Sequence, residues 1–157
     1  MSIAIKEIRY PTYEQVGWLY DRVVEISDGG IKGFRDEGEL LYVLEMIRND
    51  VYFPSFLSKL TFLVHRVCDG HIFLDGNKRM GLALGGLFLH INNLYHSNMM
   101  YIQRMESITY HIAAGNIDDL LLTKILESII SRQDYDEDLK YELCIAFSNN
   151  SIDYHAI

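Results

Sequence analysis

Two prolines and two cysteines are all that the 157 residues hold. Cys68 and Cys144 show neither zinc-type pairing nor the density of a disulfide-built scaffold, so a reducing cytoplasm is the expected setting and both read as buried thiols. No apolar run approaches the ~18 residues of a membrane span; the longest covers 80–89. The opening MSIAIKEIRY lacks the apolar core of roughly 7–15 residues that export requires, so a soluble, unexported chain is expected. Positive charge is also scarce. Fourteen Lys and Arg stand against 22 Asp and Glu, a formal charge of -8, which excludes non-specific binding to nucleic acid or to an anionic membrane as the main activity. Any anionic ligand must then be held by a local basic pocket. There is no low-complexity tract and no internal repeat, and 49% hydrophobic residues suffice for an ordinary core. A chain of this length buries roughly 68–70% of its unfolded surface without disulfides or metal.

Apolar residues recur at helical spacing in most of what remains. Thr12 with Gln15 reads as a capping box opening a helix over 13–27, carrying Val16, Leu19, Tyr20, Val23 and Val24. Three glycines around Ile31 and Phe34 are too short a stretch for a helix and suit a small strand pair, a flap. Asp36 caps a second helix ending near 49–50, and Ser55 a third running to about residue 68. The run over 80–89 is apolar all round, which predicts a central helix, with Gly81, Gly85 and Gly86 admitting close backbones. Helices over 106–114 and 117–131 complete a compact all-α bundle. An acidic, peripheral helix over 134–147 follows, and the last ten residues show no periodic pattern.

Between the third and the central helix lies DGHIFLDGNKRMG, residues 69–81. A helix N-terminus offers unpaired N–H donors and partial positive charge, and a Gly before it lets backbone wrap an anion. Lys78 and Arg79 add full charge there, so phosphate is the natural ligand. Asp75 becomes a candidate for Mg²⁺ beside phosphate oxygens, and His71 a general base for an attacking hydroxyl. Phe73, apolar between them, plugs the loop into the core. Taken singly, each of these residues is ordinary: a surface His, a core Phe, two turns, a helix cap and a solvated charge pair. Only their conjunction points to chemistry.

That conjunction, His71-Ile72-Phe73-Leu74-Asp75-Gly76-Asn77-Lys78-Arg79, resembles the signature of the Fic/Doc (Fido) family, H-x-F-x-(D/E)-G-N-G-R-x-x-R in Fic proteins and H-x-F-x-D-(A/G)-N-K-R in the death-on-curing, or Doc, branch. The flap GGIKGFRDEG and the AAGNI at 113–117 also resemble Doc segments. The likeness covers about residues 12–131. It implies a Fido domain over 1–131 with an acidic C-terminal extension over 132–157, and an all-α Fido-type helical bundle with a short β-hairpin flap. By position it makes His71 the catalytic base, Asp75 the Mg²⁺ ligand, and Gly76, Asn77, Lys78 and Arg79 the cradle for ATP or another nucleoside triphosphate. Phe73 becomes the loop anchor, and Gly30, Ile31, Lys32, Gly33 and Phe34 the flap that docks a protein target by strand-like pairing.

Lys78 and Leu82 stand where Fic proteins have Gly and a second Arg, and Doc proteins share both replacements. The resemblance therefore implies phosphate transfer to a protein Ser/Thr hydroxyl by a toxin-type enzyme, with a translation factor as target class. Gly76, where the Doc archetype has Ala, is Fic-like and keeps AMP transfer as the alternative; a catalytically silent Fido-fold binding module is the third reading. The family's inhibitory (S/T)-x-x-x-E-(G/N) motif has no full match, the nearest being Thr123 to Glu127 followed by Ser128, which favours a separate antitoxin partner. The acidic run over 134–138 offers two readings, a cover for the cationic loop or a solvated face. The other histidines show no ligand spacing, and His65 reads as packing.

Overall fold

The computed structural model describes residues 5–27 and 30–152, with side chains through residue 149. Seven helices follow in order: α1 (Tyr13–Ile26), α2 (Glu37–Met46), α3 (Phe56–Asp69), α4 (Asn77–Ile91), α5 (Tyr95–Ala113), α6 (Asp119–Ile130) and α7 (Glu137–Ile152). Their starts follow from local chemistry. Thr12 and Gln15 form the expected capping box on α1, Ser55 and Ser58 form another on α3, and Asp36 and Asp118 accept the N–H groups of Glu39 and Leu121.

Helix α4 lies at the centre, packed against α1, α3 and α5. Met80, Leu84, Phe88 and Leu89 are fully buried along it, each such side chain contributing about 1.5–3 kcal/mol. The close approach anticipated from its glycines is real: a Cβ on Gly81 would lie 2.2 Å from Cys68 Sγ, and one on Gly85 2.0 Å from the Tyr101 hydroxyl. The Tyr101 hydroxyl donates to the Gly81 carbonyl at 3.2 Å, tying α5 to the start of α4.

Helix α4 begins at Asn77, where the end of the loop was expected to meet it, so the basic pair forms its first turn. Four expectations change. Cys144, read as a buried thiol, is exposed. Helix α5 begins at Tyr95, eleven residues before the expected start at 106. Its early stripe consists of Ser97 and Tyr101, polar residues that are buried because their hydroxyls donate to the carbonyls of Ile130 and Gly81. Helix α7 continues to Ile152, past the expected end at 147. The flap is the fourth. Residues 30–35 do not close into a hairpin; Phe34 instead forms a single antiparallel bridge with Phe73 in the loop after α3. The Gly33 carbonyl accepts from the Leu74 N–H at 2.9 Å, and the Arg35 N–H donates to the Ile72 carbonyl at 2.8 Å. A run this short gains more from a ready-made partner than from folding on itself. Gly29, the first residue of the stretch read as the flap, lies outside the described residues.

Candidate active site

The loop between α3 and α4 is held from both ends. Gly70 closes α3 with its N–H on the Arg66 carbonyl, and Gly76 opens α4 in the left-handed region, at φ 87° and ψ 17°, a conformation that costs a side-chain-bearing residue about 1 kcal/mol or more. Between them Phe73 is fully buried, stacked on Tyr20 with ring centroids 4.3 Å apart and on Phe34 at 5.4 Å. The carboxamide of Asn77 spans the loop: its Oδ1 accepts from the Phe73 N–H at 3.0 Å and its Nδ2 donates to the Phe73 carbonyl at 2.9 Å. Asn77 thus spends its side chain on fixing the loop and leaves its backbone N–H to any cradle.

No side chain among the described residues caps the start of α4, since Gly76 has none to accept from the first turn. The N–H groups there face a 440 Å³ cavity bordered by His71, Asp75, Gly76, Lys78 and Arg79. Lys78 and Arg79 are exposed, and no ion pair among the described residues engages either. The Lys78 ammonium rests 5.4 Å from the centre of the Tyr110 ring. Asp75 lies at the rim, where its Oδ1 accepts from the Gly76 N–H at 2.7 Å and its Oδ2 faces Gly30 of the flap. Full cations, free backbone donors and the carboxylate of Asp75, with Asp69 also on the cavity wall, fit a triphosphate with Mg²⁺.

His71 is exposed and borders this cavity on one side and a second cleft of 570 Å³ on the other. The second cleft lies between α2, α3 and the first residue of α6. No local pattern announces it, because its residues come from three separate stretches of the chain, 35–39, 62–71 and Asp119. His65, expected to serve packing, faces it with Nδ1 3.4 Å from the Asp119 carboxylate. Cys68, three residues before His71, is no nucleophile. Burial, reinforced by the nearby Asp69 charge and only partly offset by Lys78, pushes its thiol up to about 12.

The flap is fastened by a residue that periodicity placed in the core. The Tyr20 hydroxyl accepts from the Gly33 N–H at 3.1 Å and donates to the Gly33 carbonyl at 3.3 Å. With Gly33 and Arg35 bonded toward the loop, the N–H and C=O of Phe34 point the other way, and no hydrogen bond among the described residues uses them. The acidic run does not cover the cationic loop: Asp134 pairs with Arg104, and Asp136 accepts from Leu139 at the start of α7. Thr123, in the nearest approach to the inhibitory motif, donates to the Asp119 carbonyl within α6.

A sequence model of the Fic/DOC family matches residues 10–89, from before α1 to the last turns of α4. The Toxin Doc of Mycolicibacterium smegmatis is 29% identical over 97 residues, which are 59% of this chain and 75% of that protein. The uncapped α4 start, the His71 loop and the bundle beneath them are what those residues build, and the chain belongs to the Fic/DOC family, on its Doc branch.

Proposed function

We propose that this chain is a toxin-type protein-modifying enzyme that transfers phosphate from a nucleoside triphosphate to a Ser/Thr hydroxyl, with a translation factor as the target class and a separate antitoxin as its restraint. One observation carries the reading: an uncapped helix start bearing two unpaired cations lies directly beside an exposed histidine. Gly76, Lys78, Arg79 and the backbone of Asn77 hold the phosphates. Mg²⁺, when held at Asp75, neutralises phosphate charge. His71 takes the proton from the acceptor hydroxyl, whose oxygen bonds to the γ-phosphorus as the β,γ-bridging P–O bond breaks and the nucleoside diphosphate leaves. Phe73 and Asn77 fix the loop so that base and cradle keep their separation. The flap offers the free N–H and C=O of Phe34 to an extended target segment.

Leu82, one turn past the basic pair, packs against the core, so no second cation reaches the phosphates from that position. This favours phosphate over AMP transfer. AMP transfer keeps one observation of its own, since no atom lies within 4 Å of the Cβ position on Gly76, leaving the cradle open in the Fic manner. We assign residues 1–131 to the Fido domain and 132–157 to an extension, docked through the buried Leu139, Leu143 and Ala146.

ATP labelled at either the α- or the γ-phosphate, incubated with the protein and cell lysate beside a His71→Ala control, tests this. Transfer of γ-label that His71→Ala abolishes is the expected result. Transfer of α-label alone overturns it in favour of AMP transfer. Neither label, with no nucleotide binding, leaves the silent binding module.

A further inference from the structure

The 570 Å³ cleft that also borders His71 differs from the cradle in its charges. Glu39 and Arg66 bond each other along its wall and cancel. What remains is Asp36, Asp69 and Asp119 against the single guanidinium of Arg35, a net negative field that repels a triphosphate and attracts cations. The two clefts meet at His71, Asp69 and Gly70. A general base in a displacement must reach the attacking hydroxyl while the donor lies beyond it, so base and geometry both place the acceptor on the side opposite the cradle.

The approach is also defined. Phe34 turns its free N–H and C=O outward, and the next residue, Arg35, lines the cleft. An extended segment pairing with Phe34 therefore runs on into the cleft beside His71. Phe62 supplies apolar wall, and the exposed carboxylates of Asp69 and Asp119 supply the charge.

We infer that the cleft between α2, α3 and the start of α6 is the acceptor-segment site, and that it selects an extended protein segment carrying Lys or Arg close to the modified hydroxyl. The inference rests on the functional reading above for the chemistry at His71, but its charge selectivity is a property of binding. The test uses the full chain and three fluorescein-labelled peptides of equal length, each with one central Thr flanked by Lys, Gln or Glu, followed by fluorescence anisotropy. The Lys-flanked peptide binds tighter than the Gln-flanked one by about three- to fivefold, the scale of exposed ion pairs, and the Glu-flanked one binds weakest. Asp119→Lys and Asp69→Asn each erase that order, while Asp138→Lys, in the acidic patch near α7, leaves it intact.

Equal binding of the three peptides, a preference for Glu flanks, or a Lys preference lost in Asp138→Lys and kept in Asp119→Lys overturns the inference. Incubation of the Lys-flanked peptide with γ-labelled ATP separates the two proposals. Selective binding without His71-dependent label removes the kinase reading and leaves the acceptor site. Label that is indifferent to the flanks does the reverse.

Discussion

Gly30 has no side chain, and the carboxylate of Asp75 occupies the space beside it. A Cβ there would lie 2.5 Å from Asp75 Oδ2, yet the obstructing atom is the free end of an exposed side chain that can swing away. Gly30→Ala therefore shifts the melting temperature little and displaces the carboxylate at the flap side of the cradle. The expected outcome is a tenfold or greater loss of Mg²⁺-dependent label transfer with the melting temperature kept within about 2 °C; unaltered transfer would remove Asp75 from the metal-binding role. Tyr20 poses the converse case. Its ring stacks on Phe73 and its hydroxyl makes both contacts to Gly33, so Tyr20→Phe keeps the packing and releases the flap. Net hydrogen-bond values of ~1 kcal/mol each predict a fall in melting temperature of about 4–8 °C. Amide exchange at Gly33 should accelerate while exchange in α4 changes only with global stability. Equal acceleration in both places would mean that the hydroxyl stabilises the whole fold rather than the flap.

At the scale of elements, the bundle was legible wherever burial and helical periodicity agreed, and it became obscure where polar groups are buried. The stripes of α1, α3 and α6 are aliphatic and their caps are Thr12, Ser55 and Asp118, so both extent and start can be read from the residues. The first half of α5 turns Ser97 and Tyr101 inward, residues whose burial depends on carbonyls from α6 and α4 that no local pattern announces. The motif loop could be read because its cradle is contiguous, from His71 to Arg79. The cleft on its other side could not, since Arg35, His65 and Asp119 meet only through tertiary packing. The flap fell between: its glycines announce an irregular segment, but its partner is the loop 39 positions beyond Phe34. The α3–α4 contact admits a direct test. A methyl at Gly81 meets Cys68 Sγ at 2.2 Å, and overpacking of this kind costs about 1–3 kcal/mol. Gly81→Ala should lower the urea midpoint accordingly. Cys68→Ala, which removes the obstructing sulfur, should recover part of the loss in the double variant; strictly additive losses would show that the two positions do not share that contact.

For the whole molecule, the active loop sits on ionisable groups that must stay neutral for the bundle to hold. Cys68 ends α3's buried stripe immediately beneath the loop, and its thiol is pushed from the ordinary 9.0 to about 12, chiefly by burial. Tyr101, wholly buried below α4, has its phenol held well above 10.0 for the same reason, with a smaller contribution from the neighbouring thiol. For an acid raised in this way the folded chain keeps its proton while the unfolded chain releases it. Stability is therefore fully present below pH 9.0 and declines as the pH climbs from there toward about 12, by up to about 1.4 kcal/mol per unit for the thiol. Because both groups lie under the α3–α4 junction, alkaline loosening should begin beneath the cradle, with the loss of nucleotide binding tracking the loss of structure. Urea midpoints measured from pH 7.5 to 10.5 should fall for the native chain and fall less steeply for Cys68→Ala, which has no thiol to ionise on unfolding. Cys144 is exposed, so it should react with iodoacetamide at neutral pH while Cys68 reacts only as fast as the bundle opens. Identical slopes in the two chains, or labelling of Cys68 as fast as of Cys144 under native conditions, would show that the thiol beneath the loop is not sealed by the packing that positions His71.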